Sequence, residues 1–213
     1  MANKAPTRES FLKDVRDHEI DIRMDNGVYR HIVFSQPGHR YLYRFELVTT
    51  PWRLMITGDM GTWVFARIED MFEFFRTADG SINIGYWAEK LQNGAHGCSK
   101  EAKVYDGDAY RQRLIDSLEG YTVTKKKRAA IIKELKSMDF NDEHWIMHQI
   151  NDFSFEGFTF QDVWEIDFTV YSYHFIWCCY AIAWGIQKYD ATQHKSRPLA
   201  ARLDAGKPRG EGR

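Results

Sequence analysis

An alternation of apolar and polar residues around a strong turn constrains the fold of this chain more than any other feature. Ile20, Ile22 and Met24 alternate with charged residues, which is the period of two that a strand requires. The turn is Asp25-Asn26-Gly27, where Asn and Gly tolerate the positive φ of a type I′ hairpin. Val28–Phe34 then returns as a second strand, so the pattern predicts an antiparallel hairpin.

Further strands continue this pattern along the chain. Three segments read as strands: Tyr41–Val48, Trp52–Thr57 and Thr62–Ala66. Turn residues separate them, namely Gln36-Pro37-Gly38, Pro51 and Gly58–Gly61. The region from about Glu19 to Arg67 is therefore predicted to form an antiparallel β-meander of about five strands, one face of which must be covered.

Helices are predicted on both sides of the meander. Caps and apolar spacing place them at Thr7 to about Asp17, Ile68–Arg76, Tyr86–Gln92, Asp108 to about Leu118, Thr124 to about Ser137, and Asp142–Ile150. Tyr171–Tyr189 is apolar nearly all round and is predicted to be a central buried helix. The fold class is thus α+β, with a mostly helical C-terminal half.

Composition places the chain among globular proteins of one domain. We predict a single α+β domain over residues 1–191 and a flexible basic tail over 192–213, which is rich in Lys, Arg, Gly and Pro. Met1–Asp14 is polar, so we expect no signal peptide, and the apolar run Phe175–Ile186 is too short for a bilayer. Three cysteines do not form a disulfide framework, so we expect reduced thiols, a cytoplasmic location and no membrane partner.

The formal net charge is −1, but the charges are unevenly distributed. The segment Met138–Val170 has no Lys or Arg and carries −8. Its acidic residues are Asp139, Asp142, Glu143, Asp152, Glu156, Asp162, Glu165 and Asp167. Thr122–Ser137 carries +5 and the predicted tail +4.

Three interpretations of these charges remain open. Acidic and basic segments can pair within the fold, with the remainder solvated. Alternatively, the acidic segment is a face that docks on a basic partner, such as the nucleic-acid groove of another protein. The third interpretation is nucleic-acid binding by a basic patch and the tail; the patch comprises Lys125, Lys126, Lys127 and Arg128.

A turn with a carboxylate between two glycines marks a candidate ligand pocket. Asp59 lies in Gly58–Gly61, and Asp70 and Glu73 are three apart on the next predicted helix. Together they would form an acidic pocket. The alternatives are a tight turn at Asp59 and ion pairs of the other two carboxylates with Arg67 and Arg76.

Histidines and cysteines offer weaker candidates. His144 and His148 are four apart and share one helix face, the spacing of metal ligands, but Glu143 precedes the first histidine, unlike the zincin pattern. His96 and Cys98 lie in a glycine-rich loop, where residues two apart rarely face each other. We therefore predict no metal, no cofactor and no catalytic residue; Walker, Rossmann and nucleophile-elbow motifs are also missing from the sequence.

Four stretches carry a resemblance to a known group of proteins. They are Thr57–Thr62, Asp70–Arg76, Ile82-Asn83 with Tyr86–Leu91, and Trp177–Ile186, together with the opening Phe11–Phe34. From about Phe11 to Asp190 the chain resembles an uncharacterised family of small accessory proteins encoded by phages and prophages of Gram-negative bacteria. The resemblance implies a mobile-element protein that acts inside a bacterial cell, and it brings no active site.

These observations favour one function over two others. The leading hypothesis is a phage accessory protein that binds and modulates or inhibits a host protein, for example a component of a defence system such as CRISPR–Cas. The second is a small enzyme or ligand-binding protein with a carboxylate site near Asp59, Asp70 and Glu73. The third is a nucleic-acid-binding protein that uses Lys125–Arg128.

Overall fold

The computed structural model describes residues 5–39, 41–92 and 99–196. These residues divide into two compact units. The inserted unit is Lys100–Ser172, and the sheet unit combines the chain before it with the chain from Tyr173 onward. A single domain over residues 1–191 remains a prediction, because a division by contacts is not a test of independent folding.

The sheet unit is built on the predicted meander. Its strands are β1 (Glu19–Asn26), β2 (Tyr29–Ser35), β3 (Phe45–Thr50), β4 (Arg53–Gly58) and β5 (Gly61–Ala66). Neighbours in the sequence are neighbours in the sheet, and every pair is antiparallel. The predicted five-stranded sheet and the α+β fold class are therefore confirmed.

The first hairpin turn differs from the predicted type. Asn26 pairs with Tyr29, so the two central residues are Gly27 and Val28. Only Gly27 has positive φ, at 61°. A type I′ turn needs positive φ at both central positions, whereas one glycine at the first position fits type II′.

Seven α-helices occur in the described residues. They are α1 (Arg8–Asp14), α2 (Met71–Phe75), α3 (Ile84–Ala88), α4 (Gly107–Ser117), α5 (Lys125–Ser137), α6 (Glu143–Asn151) and α7 (Tyr173–Ser196). Thr7 and Thr124 cap α1 and α5, as the sequence predicts, and Asp142 caps α6. The cap of α4 is Asp106 and not Asp108, because the Asp106 carboxylate accepts a hydrogen bond from the Ala109 N–H.

Helix α7 covers one face of the sheet, as expected for a buried apolar helix. Gly185 permits this approach, since a Cβ there would lie 2.9 Å from Leu47 Cδ1. Cys178 and Cys179 are free, buried thiols in this helix, and burial raises the pKa of both. The helix continues to Ser196, so the first residues of the predicted tail are helical, and residues 197–213 lie outside the described residues.

The inserted unit is mostly helical. Helices α4, α5 and α6 enclose a core that includes Leu114, Leu135 and Ile150. Two short strands complete the unit, β6 (Lys103–Tyr105) and β7 (Thr169–Tyr171), which pair antiparallel. The sequence did not predict the pairing of β6 with β7, because each strand has only three residues, too few to show the period of two.

No helix within the described residues has both the length and the apolar character needed to cross a membrane.

Candidate functional site

The glycine-flanked turn at Asp59 has a structural explanation. A Cβ at Gly58 would lie 2.1 Å from the Arg44 carbonyl oxygen, so this close approach of backbones requires glycine. The Asp59 N–H donates to the same oxygen at 2.9 Å, and its carboxylate accepts from the Tyr43 N–H at 2.9 Å. The motif therefore fastens the segment before β3 to the end of β4.

Asp70 belongs to a buried ion pair. The two terminal nitrogens of the Arg30 guanidinium, Nη1 and Nη2, donate to the Asp70 carboxylate at 2.9 and 2.8 Å, and the Phe72 N–H adds a third bond at 2.9 Å. Only 9% of the Arg30 side chain and 23% of the Asp70 side chain is exposed. Burial acts in the opposite direction, but Arg30 and the Phe72 N–H outweigh it and lower the pKa of Asp70.

Glu73 points into a different network. It forms an ion pair with Arg76, whose guanidinium also donates two hydrogen bonds to Asp190 of α7 at 2.8 and 2.9 Å. The predicted pairing of Glu73 with Arg76 is therefore present, whereas Asp70 pairs with Arg30.

The structure does not bring the three carboxylates of the predicted pocket together. Asp59 directly follows the last residue of β4. At the other end of this strand, Trp52 precedes the first residue, and its N–H donates to the carbonyl oxygen of Glu69, the neighbour of Asp70. The six residues of β4 place these two sites about 20 Å apart.

A smaller charged cluster lies on the sheet face opposite α7. His31 Nε2 is 2.5 Å from Glu46 Oε2, and Arg44 donates to the other carboxylate oxygen. Despite the opposing effect of burial, His31 and Arg44 lower the pKa of Glu46. Each of these groups has a partner within the cluster, so we interpret it as a stabilising contact across β2 and β3.

Three of the eight acidic residues of Met138–Val170 have structural roles. Asp139 accepts from the Asn141 backbone and side chain, and Asp142 caps α6 through the Trp145 N–H. Asp167 accepts from Lys103 at 2.8 Å and from Thr169; these bonds outweigh burial and lower the pKa of Asp167.

The other five carboxylates form no ion pair within the described residues. They are Glu143, Asp152, Glu156, Asp162 and Glu165; four are exposed and Glu143 is half-buried. Glu156 and Asp162 adopt positive φ, at 47° and 53°, in the irregular segment after α6. The expected pairing of acidic and basic segments is thus largely missing from the described part of this unit.

The predicted basic patch forms the first turn of α5. Lys125 and Lys126 are exposed. Lys127 donates to the Glu156 carbonyl oxygen at 2.7 Å, and Arg128 donates to the Tyr121 carbonyl oxygen at 3.4 Å. Two of the four cations therefore support loops of the inserted unit, and two face solvent.

A groove of about 550 Å³ runs beside α6 in the inserted unit, which is within the size range of ligand sites. One wall is a single face of α6, formed by Glu143, His144, Met147, His148 and Asn151. The floor and opposite wall come from distant segments and consist of Tyr110, Val163, Trp164 and Phe168.

Two tryptophans stand out at this groove. Trp164 lines it and is 68% exposed, and Trp145 lies on α6 outside the lining and is 62% exposed. Large aromatic side chains with such exposure are the residues that interfaces most often use as anchors.

A tyrosine hydroxyl in the groove has no partner within the described residues. Tyr110 is 1% exposed and lines the groove; its hydroxyl makes no hydrogen bond there but is not fully buried, so it is open to the groove. Burial raises the pKa of Tyr110, and burial together with the proximity of Tyr110 and Glu143 raises the pKa of Tyr105 to about 12. Glu143 therefore lies within electrostatic range of the Tyr105 phenol.

The histidine pair that sequence spacing singled out lines this groove. His144 and His148 are exposed, and neither has a hydrogen-bonding partner in the described part of the chain. The described residues contain no group of three or more His, Cys, Asp or Glu side chains arranged to hold a metal. His96 and Cys98 lie outside the described residues.

Sequence reasoning identified one wall of the groove and missed the rest. The i, i+4 histidine spacing is a local signal, whereas Tyr110, Trp164 and Phe168 reach the groove through tertiary packing. The signal that could have found Trp164 is its position among acidic residues, because a tryptophan in a charged, aperiodic segment has no helical face to bury it.

Comparison with known proteins gives no match: no protein-family model, no curated protein and no solved structure is similar to this chain.

Proposed function

We propose that this protein works by binding a partner protein through the Met138–Val170 segment of the inserted unit. The observation that carries the proposal is the groove beside α6, flanked by exposed Trp145 and Trp164, in a segment without Lys or Arg. Seven of its eight carboxylates, all but Asp167, form no ion pair within the described residues, which favours a basic partner surface.

The partner we propose is a host protein with a basic face. The resemblance to phage accessory proteins favours a bacterial host, and a defence-system component with a nucleic-acid groove has the complementary charge. An acidic surface that occupies such a groove would modulate or inhibit the host protein by excluding nucleic acid from it.

The test compares two variants with equal changes in charge. One is Glu156→Gln, Asp162→Asn and Glu165→Gln; the control is Asp116→Asn, Glu119→Gln and Glu134→Gln, in the same unit but outside the acidic segment. Each is used to capture proteins from a Gram-negative lysate, and any stoichiometric partner is purified and its association rate measured against salt concentration.

We expect a partner that wild type and the control retain and the first variant loses, with association slowing as salt rises. Equal retention by all three proteins, or the lack of any stoichiometric partner, would contradict the proposal. Protection of phage in a defence-carrying host, lost in the first variant alone, would connect binding to function.

A further inference from the structure

We propose that the groove beside α6 receives an arginine side chain of the partner, an inference that rests on the function proposed above. The groove combines three features that recognise a guanidinium group. They are a carboxylate, an aromatic wall and a phenol oxygen that makes no hydrogen bond within the described residues.

The hydroxyl of Tyr110 supplies an acceptor inside the groove. Because it makes no hydrogen bond within the described residues and is not fully buried, it can bond a ligand group in place of water. The phenol oxygen accepts a hydrogen bond from a donor that enters the groove, and a guanidinium offers five.

Charge complementarity selects a cation as that occupant. Glu143 is half-buried on the groove wall and forms no ion pair in the described residues, and no Lys or Arg occurs between Met138 and Val170. An anionic ligand would meet Glu143 together with the exposed carboxylates of the same segment, so nucleic acid is disfavoured here.

The apolar lining selects arginine among cations. Trp164 and Phe168 present aromatic faces, and Met147 and Val163 offer apolar surface for a three-methylene stem. A guanidinium stacks on aromatic rings more readily than a hydrated ammonium group does, and its planar fork can bond a carboxylate and a phenol oxygen together.

The experiment uses the full chain and three acetylated pentapeptide amides, Gly-Gly-X-Gly-Gly, in which X is arginine, lysine or citrulline. Citrulline keeps the shape of arginine and removes its charge. Binding is followed by NMR through the indole N–H signal of Trp164, assigned with Trp164→Phe, and the ring signals of His144 and His148. We expect a saturable shift with arginine and affinity about tenfold weaker for citrulline, with lysine intermediate.

Two variants locate the contact. Tyr110→Phe removes only the hydroxyl and Glu143→Gln only the charge, and each should weaken arginine-peptide binding about fivefold to tenfold. Glu134→Gln, an equal change of charge at an exposed position of α5 outside the groove lining, should bind as wild type does. Thermal melts check folding, and since the hydroxyl is unpartnered, Tyr110→Phe should melt no lower than wild type.

Equal binding of arginine and citrulline, no saturable shift with arginine, or unchanged affinity in both groove variants would overturn the inference. These outcomes leave the proposed function intact, because that function is tested by whether neutralising Glu156, Asp162 and Glu165 abolishes capture of the partner. If that neutralisation has no effect on capture, the proposed function fails, and arginine-peptide binding remains a property of the groove alone.

Discussion

The two units differ in how they treat their charged side chains. In the sheet unit, half-buried and buried charges are bonded to one another, as in the pairs Arg30–Asp70 and Arg76–Asp190. In the inserted unit, seven of the eight carboxylates of the acidic segment, all but Asp167, have no cationic partner among the described residues. Paired charges stabilise the first unit, and the unpaired charges of the second are available to another molecule.

The largest expected effect comes from breaking the central ion pair of the sheet unit. Arg30→Met leaves the Asp70 carboxylate partly buried without its cation, and we expect the free energy of unfolding to fall by about 3 kcal/mol. The measurement is chemical denaturation followed by circular dichroism.

Arg23→Met is the matched control, because the Arg23–Asp21 pair is more than half exposed on both sides. It should change the free energy of unfolding by less than about 0.5 kcal/mol. Similar effects of the two substitutions would contradict the assignment of Arg30 as a buried stabilising cation.

The next effect tests the explanation of the Gly58 turn. A methyl group at Gly58 would collide with the Arg44 carbonyl, so Gly58→Ala should lower the free energy of unfolding by about 2 kcal/mol or more. Gly85→Ala, in α3 with open space around it, should instead be neutral or stabilising by up to about 1 kcal/mol. A tolerated Gly58→Ala would reopen the possibility that this turn serves a ligand.

Acid should weaken the paired charges. The folded-state pKa values of Asp70 and Glu46 are lowered, so the unfolded chain binds more protons than the native protein once the pH falls towards about 4. Their contribution is fully present above the ordinary carboxyl pKa and is lost as the pH falls through the lower folded-state values. We therefore expect both contributions to be lost in this acid range.

Denaturation curves between about pH 7 and pH 2.5 measure this loss, and Arg30→Met should flatten the pH dependence by removing the contribution of Asp70. An unchanged slope in Arg30→Met would contradict the interpretation that its ion pair with Asp70 makes stability depend on pH.

The smallest effect concerns an exposed tryptophan in the sheet unit. Trp52 has φ of 72° in the turn between β3 and β4 and is 55% exposed. Trp52→Gly should raise the free energy of unfolding by about 0.5–1 kcal/mol by relieving the left-handed backbone, and a thermal melt measures it. A clear loss of stability would mean that the buried part of the ring outweighs this strain.

Local signals in the sequence predicted the sheet unit well. The period of two and the Gly, Pro and Asn turns are properties of adjacent residues, so they were sufficient for five strands in sequential order. The pairing of β6 with β7 could not be predicted, because Val104 and Val170 are brought together only by the folding of everything between them.

The candidate site shows the same division. The shared face of His144 and His148 follows from helix geometry alone. The hydroxyl of Tyr110 and the ring of Trp164 join that face through packing of the core, which no spacing in the sequence encodes. Asp59 and Asp70 are close in the sequence, but they do not share a pocket. They lie near opposite ends of β4, so the length of that strand separates them.

The sheet unit is assembled from two parts of the chain, with the residues of the inserted unit between them. During synthesis, the strands therefore leave the ribosome well before α7, whose residues cover Phe34, Phe45 and Leu47. At about 5–20 residues per second, the apolar face of the nascent sheet waits several seconds for its cover. Chaperone demand in the cell should thus depend on the length of the inserted unit, and shortening it would shorten the period in which the growing chain is prone to aggregation.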